Sequence, residues 1–227
     1  MNRRRAMVEL TDLERDALTE LVNMGVGRAA THLSRMVNDQ VLLSVPTVDI
    51  VSRQEASDFL SARERSGLVA VEQQFQGSFD GRAMLIFPEA NSLELARAVL
   101  GGDLTLAEIV DLEQDALAEI GNIILNGCLV IVANALKDRL SISLPAVLRG
   151  DGANILKDKV GGGGDELVLF LYIDFTIRSR SIRGYIALLM GVSSLQSLKQ
   201  LIHAFIEGIA TEEPTSAGTS SHGSQIA

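Results

Sequence analysis

The chain has 227 residues, 47% of them hydrophobic but only 4% aromatic with no Trp, so it can bury a core and must build it from aliphatic side chains. Its formal net charge of -9 argues against a nucleic-acid groove, which needs clustered Lys and Arg, and favours protein or cation partners. A single cysteine excludes an internal disulfide and fits a reducing compartment, so a cytoplasmic location is expected.

The first residues, Met1 to Arg5, are basic, but no apolar run follows before Glu9, Asp12 and Glu14, which predicts no signal peptide. Residues 1–10 read as an extension. A helix opens at Thr11 or Asp12, with acidic residues in its first turns, and runs to about Asn38. Residues 41–51 read as one strand whose Pro46 belongs at an edge or bulge. After a short polar helix or loop near 54–61, residues 68–79 and 82–88 form two strands turning at Asp80-Gly81. An amphipathic helix over 89–100 stops at Gly101-Gly102.

The order then restarts. A helix over 112–138 precedes a strand over 140–148, and Pro145 lies as far after Pro46 as Glu119 lies after Glu20. A hairpin with strands over 166–173 and 184–190 leads into a last helix near Ser194. The unit helix-strand-strand-strand-helix therefore occurs twice, over 11–104 and 109–208. It predicts a single α+β domain over 11–208: two three-stranded halves joined by a pseudo-two-fold into a mainly antiparallel six-stranded sheet, with helices packed on it. The insertion 151–164, ending in four glycines, is expected to be mobile, and 209–227 to form a disordered tail. The most apolar stretch, 120–136, carries Asn122, Asn126 and Asn134 and falls short of the roughly 20 mostly apolar residues a membrane span needs, so no membrane is implied.

Both long helices contain the phrase D-A-L-x-E-x-x-N: Asp16 to Asn23 and Asp115 to Asn122. At about 100° per residue from Leu18, the residues Val22, Gly25, Ala29, Leu33 and Met36 fall within roughly 60° and make a core stripe. On the same count Asp16, Glu20, Asn23 and Gly27 gather at about 140–200°, on the water side. In the second helix Leu117, Gly121, Ile124, Cys128, Val132 and Ala135 face inward, while Asp115, Glu119, Asn122 and Asn126 face out. Cys128 is thus a core thiol. A duplicated fold must keep its core, but nothing in folding obliges both copies to keep Asn, a mediocre helix former, on the wet face. That recurrence marks two functional patches.

No G-x-S-x-G, Walker loop or zinc-like histidine spacing is present, and His32, His203 and His222 stand apart. What remains is one carboxylate and one carboxamide per patch on a convex surface, which cannot enclose a small molecule. Such a patch completes a site on another protein. Its Glu suits pairing with a partner's Lys, and its Asn can hold a water in a fixed orientation. If the partner carries an activated phosphoryl group and its own metal, placing that water is the missing step.

The run Glu20-Leu21-Val22-Asn23-Met24-Gly25-Val26-Gly27-Arg28-Ala29-Ala30 and the second run Glu119-Ile120-Gly121-Asn122-Ile123-Ile124 resemble the E-x-x-N-I-G-x-G-x-A-A and E-I-G-N-I-L motifs of the CheC family of chemotaxis phosphatases, with CheX and FliY. The resemblance covers about 11–208 and implies a stand-alone CheC-like hydrolase acting on the aspartyl phosphate of the response regulator CheY. It implies that Glu20 and Glu119 pair with the regulator's Lys and that Asn23 and Asn122 orient the water. Asp16, Gly27, Asp115 and Asn126 would line the docking surface, and Mg2+ would belong to the regulator, none being bound here. CheD is a further partner of some members. The competing expectation is a binding module that sequesters the phosphorylated regulator, or docks on CheD or the flagellar switch, without turnover. A metal-dependent hydrolase of small molecules is a third reading, with one carboxylate per patch as thin ligation.

Overall fold

Thr11 starts the first helix, α1 (Asp12–Val37), by a capping box: its hydroxyl accepts from the Glu14 N–H while the Glu14 carboxylate accepts from the Thr11 N–H at 2.8 Å. The helix ends where Asn38 turns left-handed, φ 49°. The computed structural model describes residues 9–45, 47–64, 67–101, 104–157, 166–177 and 180–211. After α1 come β1 (Val41–Ser44), β2 (Val48–Ser52), α2 (Arg53–Arg63), β3 (Leu68–Gln76), β4 (Gly81–Pro88), a 3-10 turn (Glu89–Asn91) and α3 (Ser92–Leu100). Then follow α4 (Leu106–Ala135), β5 (Ser141–Ile142), β6 (Ala146–Gly150), α5 (Gly152–Ile155), β7 (Glu166–Ile177), β8 (Arg180–Gly191) and α6 (Val192–Thr211).

All strands join one sheet in the order β1-β7-β8-β4-β3-β5, with β2 also on β7 and β6 also on β3, and every pairing is antiparallel. The α+β class and the antiparallel sheet agree with the sequence, but eight strands fill the six positions because each expected edge strand is broken in two. At the second break the chain leaves the ladder between Ile142 and Ala146, where Pro145 has no N–H to give. Pro46, expected at the first break, lies outside the described residues.

One sheet face carries Val69, Val71, Leu85, Leu171 and Ile173 and packs under α1, α3, α4 and α6. The other carries Leu68, Ala70, Met84, Ile86 and Phe170 under α2 and α5. With both faces covered, the central strands are buried almost throughout, so period-2 alternation is weak there. The helix expected from 112 begins six residues earlier, because Thr105 and Glu108 form another capping box, and Ile109 is buried with Ala96 and Ala116. By length and composition α4 could cross a membrane, yet 67% of its most apolar window is buried in the fold.

The insertion is partly structured. Asp151 caps α5 by accepting from the Asn154 N–H at 2.8 Å, and Ile155 and Leu156 are buried with Ala56 and Leu60 of α2, so its first part is packed against a helix; Gly161 to Gly164 lie outside the described residues. Leu10, assigned to an extension, is buried in the main core, and α6 continues to Thr211, three residues into the expected tail, whose remainder lies outside the described residues.

Helices α1 and α4 touch backbone to backbone. A Cβ on Gly25 would lie 2.6 Å from the Gly127 carbonyl oxygen, and one on Gly127 would lie 2.9 Å from that of Gly25. A Cβ on Gly121 would lie 2.4 Å from the Val71 side chain, so α4 also sits tightly on β3. Gly25→Ala should therefore destabilise the fold by about 1–3 kcal/mol through overpacking, although Ala is the better helix former. A urea midpoint equal to or above that of the wild type would show that the helices separate freely.

Candidate functional site

The core stripe of α1 turns Asp16, Glu20 and Gly27 outward, as expected, and all three are exposed. A Cβ on Gly27 would meet nothing within 4 Å. Asn23 departs from the expectation. It is half-buried, its Nδ2 donates to the Val45 carbonyl at 2.9 Å, and its Oδ1 accepts from the Val45 N–H at 2.9 Å. The carboxamide thus replaces a ladder partner for a residue that is 1% exposed and lies where β1 has ended. Its two ends are both in use within the fold.

On α4, Asp115 and Glu119 are exposed, whereas Asn122 and Asn126 are half-buried. This corrects the water-facing assignment of both asparagines. Asn126 Nδ2 donates to Asn122 Oδ1 at 2.7 Å, one turn away on the same helix, so Asn126 braces its neighbour. A second donor reaches Asn122 Oδ1 from the sheet: Gln73 Nε2 at 3.1 Å, which also donates to the Ser143 carbonyl at 2.9 Å. Because a carbonyl can only accept, the Ser143 bond identifies the nitrogen end of Gln73, and this in turn makes the inward end of Asn122 its oxygen. Among the described residues, the Asn122 Nδ2 makes no hydrogen bond and remains available as a donor.

The two phrases are therefore alike in sequence and different in wiring. Beside Asn23 the chain segment after β1 is held by Asn23 itself. Beside Asn122 the segment after β5 is held by Gln73, and Asn122 is free of that task. Sequence reasoning passed over Gln73, but it left a signal: a carboxamide in step with Val69, Val71 and Phe75 on a strand otherwise core-facing. Cys128 is buried, and burial pushes its thiol up to about 12, consistent with a core residue that forms no thiolate. Among the described residues no group of three or more His, Cys, Asp or Glu is placed to hold a metal.

Removing the Asn23 side chain would leave the Val45 N–H and C=O without partners in a buried position. Asn23→Ala should cost about 1–3 kcal/mol of stability and speed hydrogen exchange at the Val45 amide. Unchanged protection of that amide would contradict the assignment.

The CheC-like family model matches residues 13–50, which contain Glu20 and Asn23, and the chemotaxis phosphatase CheX model matches residues 69–163, which contain Gln73, Glu119 and Asn122. The flagellar motor switch phosphatase FliY of Bacillus subtilis is 26% identical over 141 residues, 61% of this chain and 36% of that protein. The CheY-P phosphatase CheC of the same organism is 25% identical over 135 residues, 58% of this chain and 64% of that protein. The chain thus aligns with less than two thirds of the length of either. In three dimensions it is similar to FliY of Thermotoga maritima, with a TM-score of 0.68 at 17% identity, covering 86% of this chain and 98% of that one. The FliM middle domain of H. pylori shares the fold at a TM-score of 0.56 and 11% identity, covering 85% and 99%. The CheC-like and CheX family models thus fall on the two E-x-x-N phrases, and the chain is similar in fold to FliY.

Proposed function

We propose that the chain hydrolyses the aspartyl phosphate of a CheY-type response regulator, with the α4 face as its principal site. The observation that supports this reading is the state of Asn122: its oxygen is held from behind by two donors, and its Nδ2 is left unpaired three residues from the exposed Glu119. The relatives named as a flagellar motor switch phosphatase and a CheY-P phosphatase supply the substrate class.

In this reading Glu119 pairs with a Lys of the regulator and brings Asn122 to the phosphoryl group, with Asp115 beside it on the docking face. Asn122 Nδ2 donates to one lone pair of a water, and the other lone pair attacks phosphorus in line. The bond from phosphorus to the aspartyl oxygen breaks, the regulator recovers its carboxylate, and phosphate leaves with the protons of the water. The chain contributes position, which for well-oriented reactants is worth several orders of magnitude in rate. Magnesium belongs to the regulator in this scheme, and the protein works in the cytoplasm.

We read the two phrases as copies of one ancestral site, on helices and strands related by an approximate two-fold. Asn23 is held at both ends by Val45 and would have to give up those two hydrogen bonds, at a cost of about 1–3 kcal/mol, before its carboxamide could turn to present its NH2 outward as that of Asn122 does. Glu20, Asp16 and Gly27 then serve an α1 face that docks more readily than it catalyses. The same observation favours the second reading, a face that binds a regulator, CheD or a flagellar-switch protein without turnover, for α1 alone.

The test follows the decay of phosphorylated receiver domains in single turnover. Wild-type protein should accelerate it, Asn122→Ala should lose about 100-fold or more of that acceleration, and Asn23→Ala about tenfold or less once its folding is verified. A sequestering protein would slow the decay or leave it unchanged. Reversing charge at Glu20 and Glu119 to Lys should weaken binding to a receiver carrying a non-hydrolysable phosphoryl mimic, most of all at low salt. Equal affinity at every ionic strength would remove the pairing role.

A further inference from the structure

We propose that Gln73 is a positioning residue that sets the orientation of the Asn122 carboxamide; this rests on the phosphatase reading above. Gln73 is 1% exposed, in mid-strand on β3, on the face that packs under the helices. Its two Nε2 protons are divided between Asn122 Oδ1 at 3.1 Å and the Ser143 carbonyl at 2.9 Å. Its Oε1 is buried and has no hydrogen-bond partner among the described residues. A buried acceptor without a partner is a cost, and an aliphatic side chain would avoid it.

The fold contains the control for that comparison. Val147 pairs with Val71 on β3, and Val48 pairs with Leu171 on β7, so two residues onward Gln73 and Ile173 occupy matching places beneath the two phrases. At Ile173 the sheet packs well with an aliphatic residue, 2% exposed. A carboxamide at Gln73 is thus unnecessary for packing, and what distinguishes the α4 side is an asparagine freed from holding the neighbouring segment. Gln73 takes over the tie to Ser143 and, with its other proton, pins the Asn122 oxygen inward. Rotating the Asn122 amide by half a turn would set its NH2 against two donors, so the outward group is kept as a donor.

The experiment replaces Gln73 with Leu, and with Met as a second variant closer in shape. Ser143 is exposed, so its freed carbonyl can be solvated, and both variants should fold with a melting midpoint at or above that of the wild type. Receiver dephosphorylation at saturation should fall by about 10- to 100-fold, while affinity for a receiver bearing a beryllofluoride phosphoryl mimic stays within about twofold. In an Asn122→Ala background, Gln73→Leu should add no further loss, because its effect passes through Asn122. An undiminished maximal rate, or an equal additional loss in the Asn122→Ala background, overturns the proposal. A readout free of activity is the side-chain amide of Asn122 in 15N-labelled protein. Its heteronuclear NOE should be high in the wild type and drop in Gln73→Leu, whereas an amide that stays equally rigid overturns positioning by itself. If the NOE falls as expected but the wild type dephosphorylates no receiver, the phosphatase reading fails and takes the catalytic consequence of Gln73 with it.

Discussion

The contact on which the arrangement depends is the one between two glycines, Gly25 on α1 and Gly127 on α4. With no Cβ on either side, the carbonyl of each helix lies where a methyl group of the other would have stood. Rigid helices in backbone contact cannot rotate about their axes without collision, so this contact fixes which way every other residue of both helices points. Gly121 performs a similar function against Val71 of the sheet. Gly25 stands two residues after Asn23, and Gly121 directly before Asn122. Close packing is therefore strictest where the orientation of a carboxamide matters most.

From that constraint follows the different use made of two similar phrases. Each helix passes over a place where an edge strand is interrupted and a backbone segment needs hydrogen-bond partners. On the α1 side the helix itself provides them through Asn23, an efficient solution that engages both ends of the side chain. On the α4 side the sheet provides one through Gln73 at the cost of an unpartnered buried oxygen, and Asn122 keeps its nitrogen in reserve. Stability and availability thus compete for the same functional group. A carboxamide that holds its own fold together is poorly placed to hold a water for another protein.

Much of the architecture was legible in the sequence because it rests on short-range rules. The Thr11 cap, the 3.6-residue stripe from Leu18 to Leu33 and the stop at Gly101 each involve residues within one turn or one stripe of each other, whereas the hairpin expected to turn at Asp80-Gly81 turns over residues 77–80, with Gly81 already paired to Phe75. Boundaries were missed where a local rule went unweighed, as with the Thr105 and Glu108 capping box, or where packing ordered a segment with little intrinsic preference, as with Ile155 and Leu156 on α2.

The sequence by itself determined which residues form the two helices, which stripe of each is apolar, and that Glu20 and Glu119 project from the opposite side. Periodicity decides that much, because a helix presents each residue at an angle set by its number. Only the tertiary structure decided that Asn23 meets Val45 and that Asn122 meets Gln73, since both partners reach the helices through strand pairing and not through proximity in the chain. Hydrogen-bond partners of a half-buried amide are chosen by whatever group the sheet brings within hydrogen-bonding reach, and helical angle alone carries no information about that.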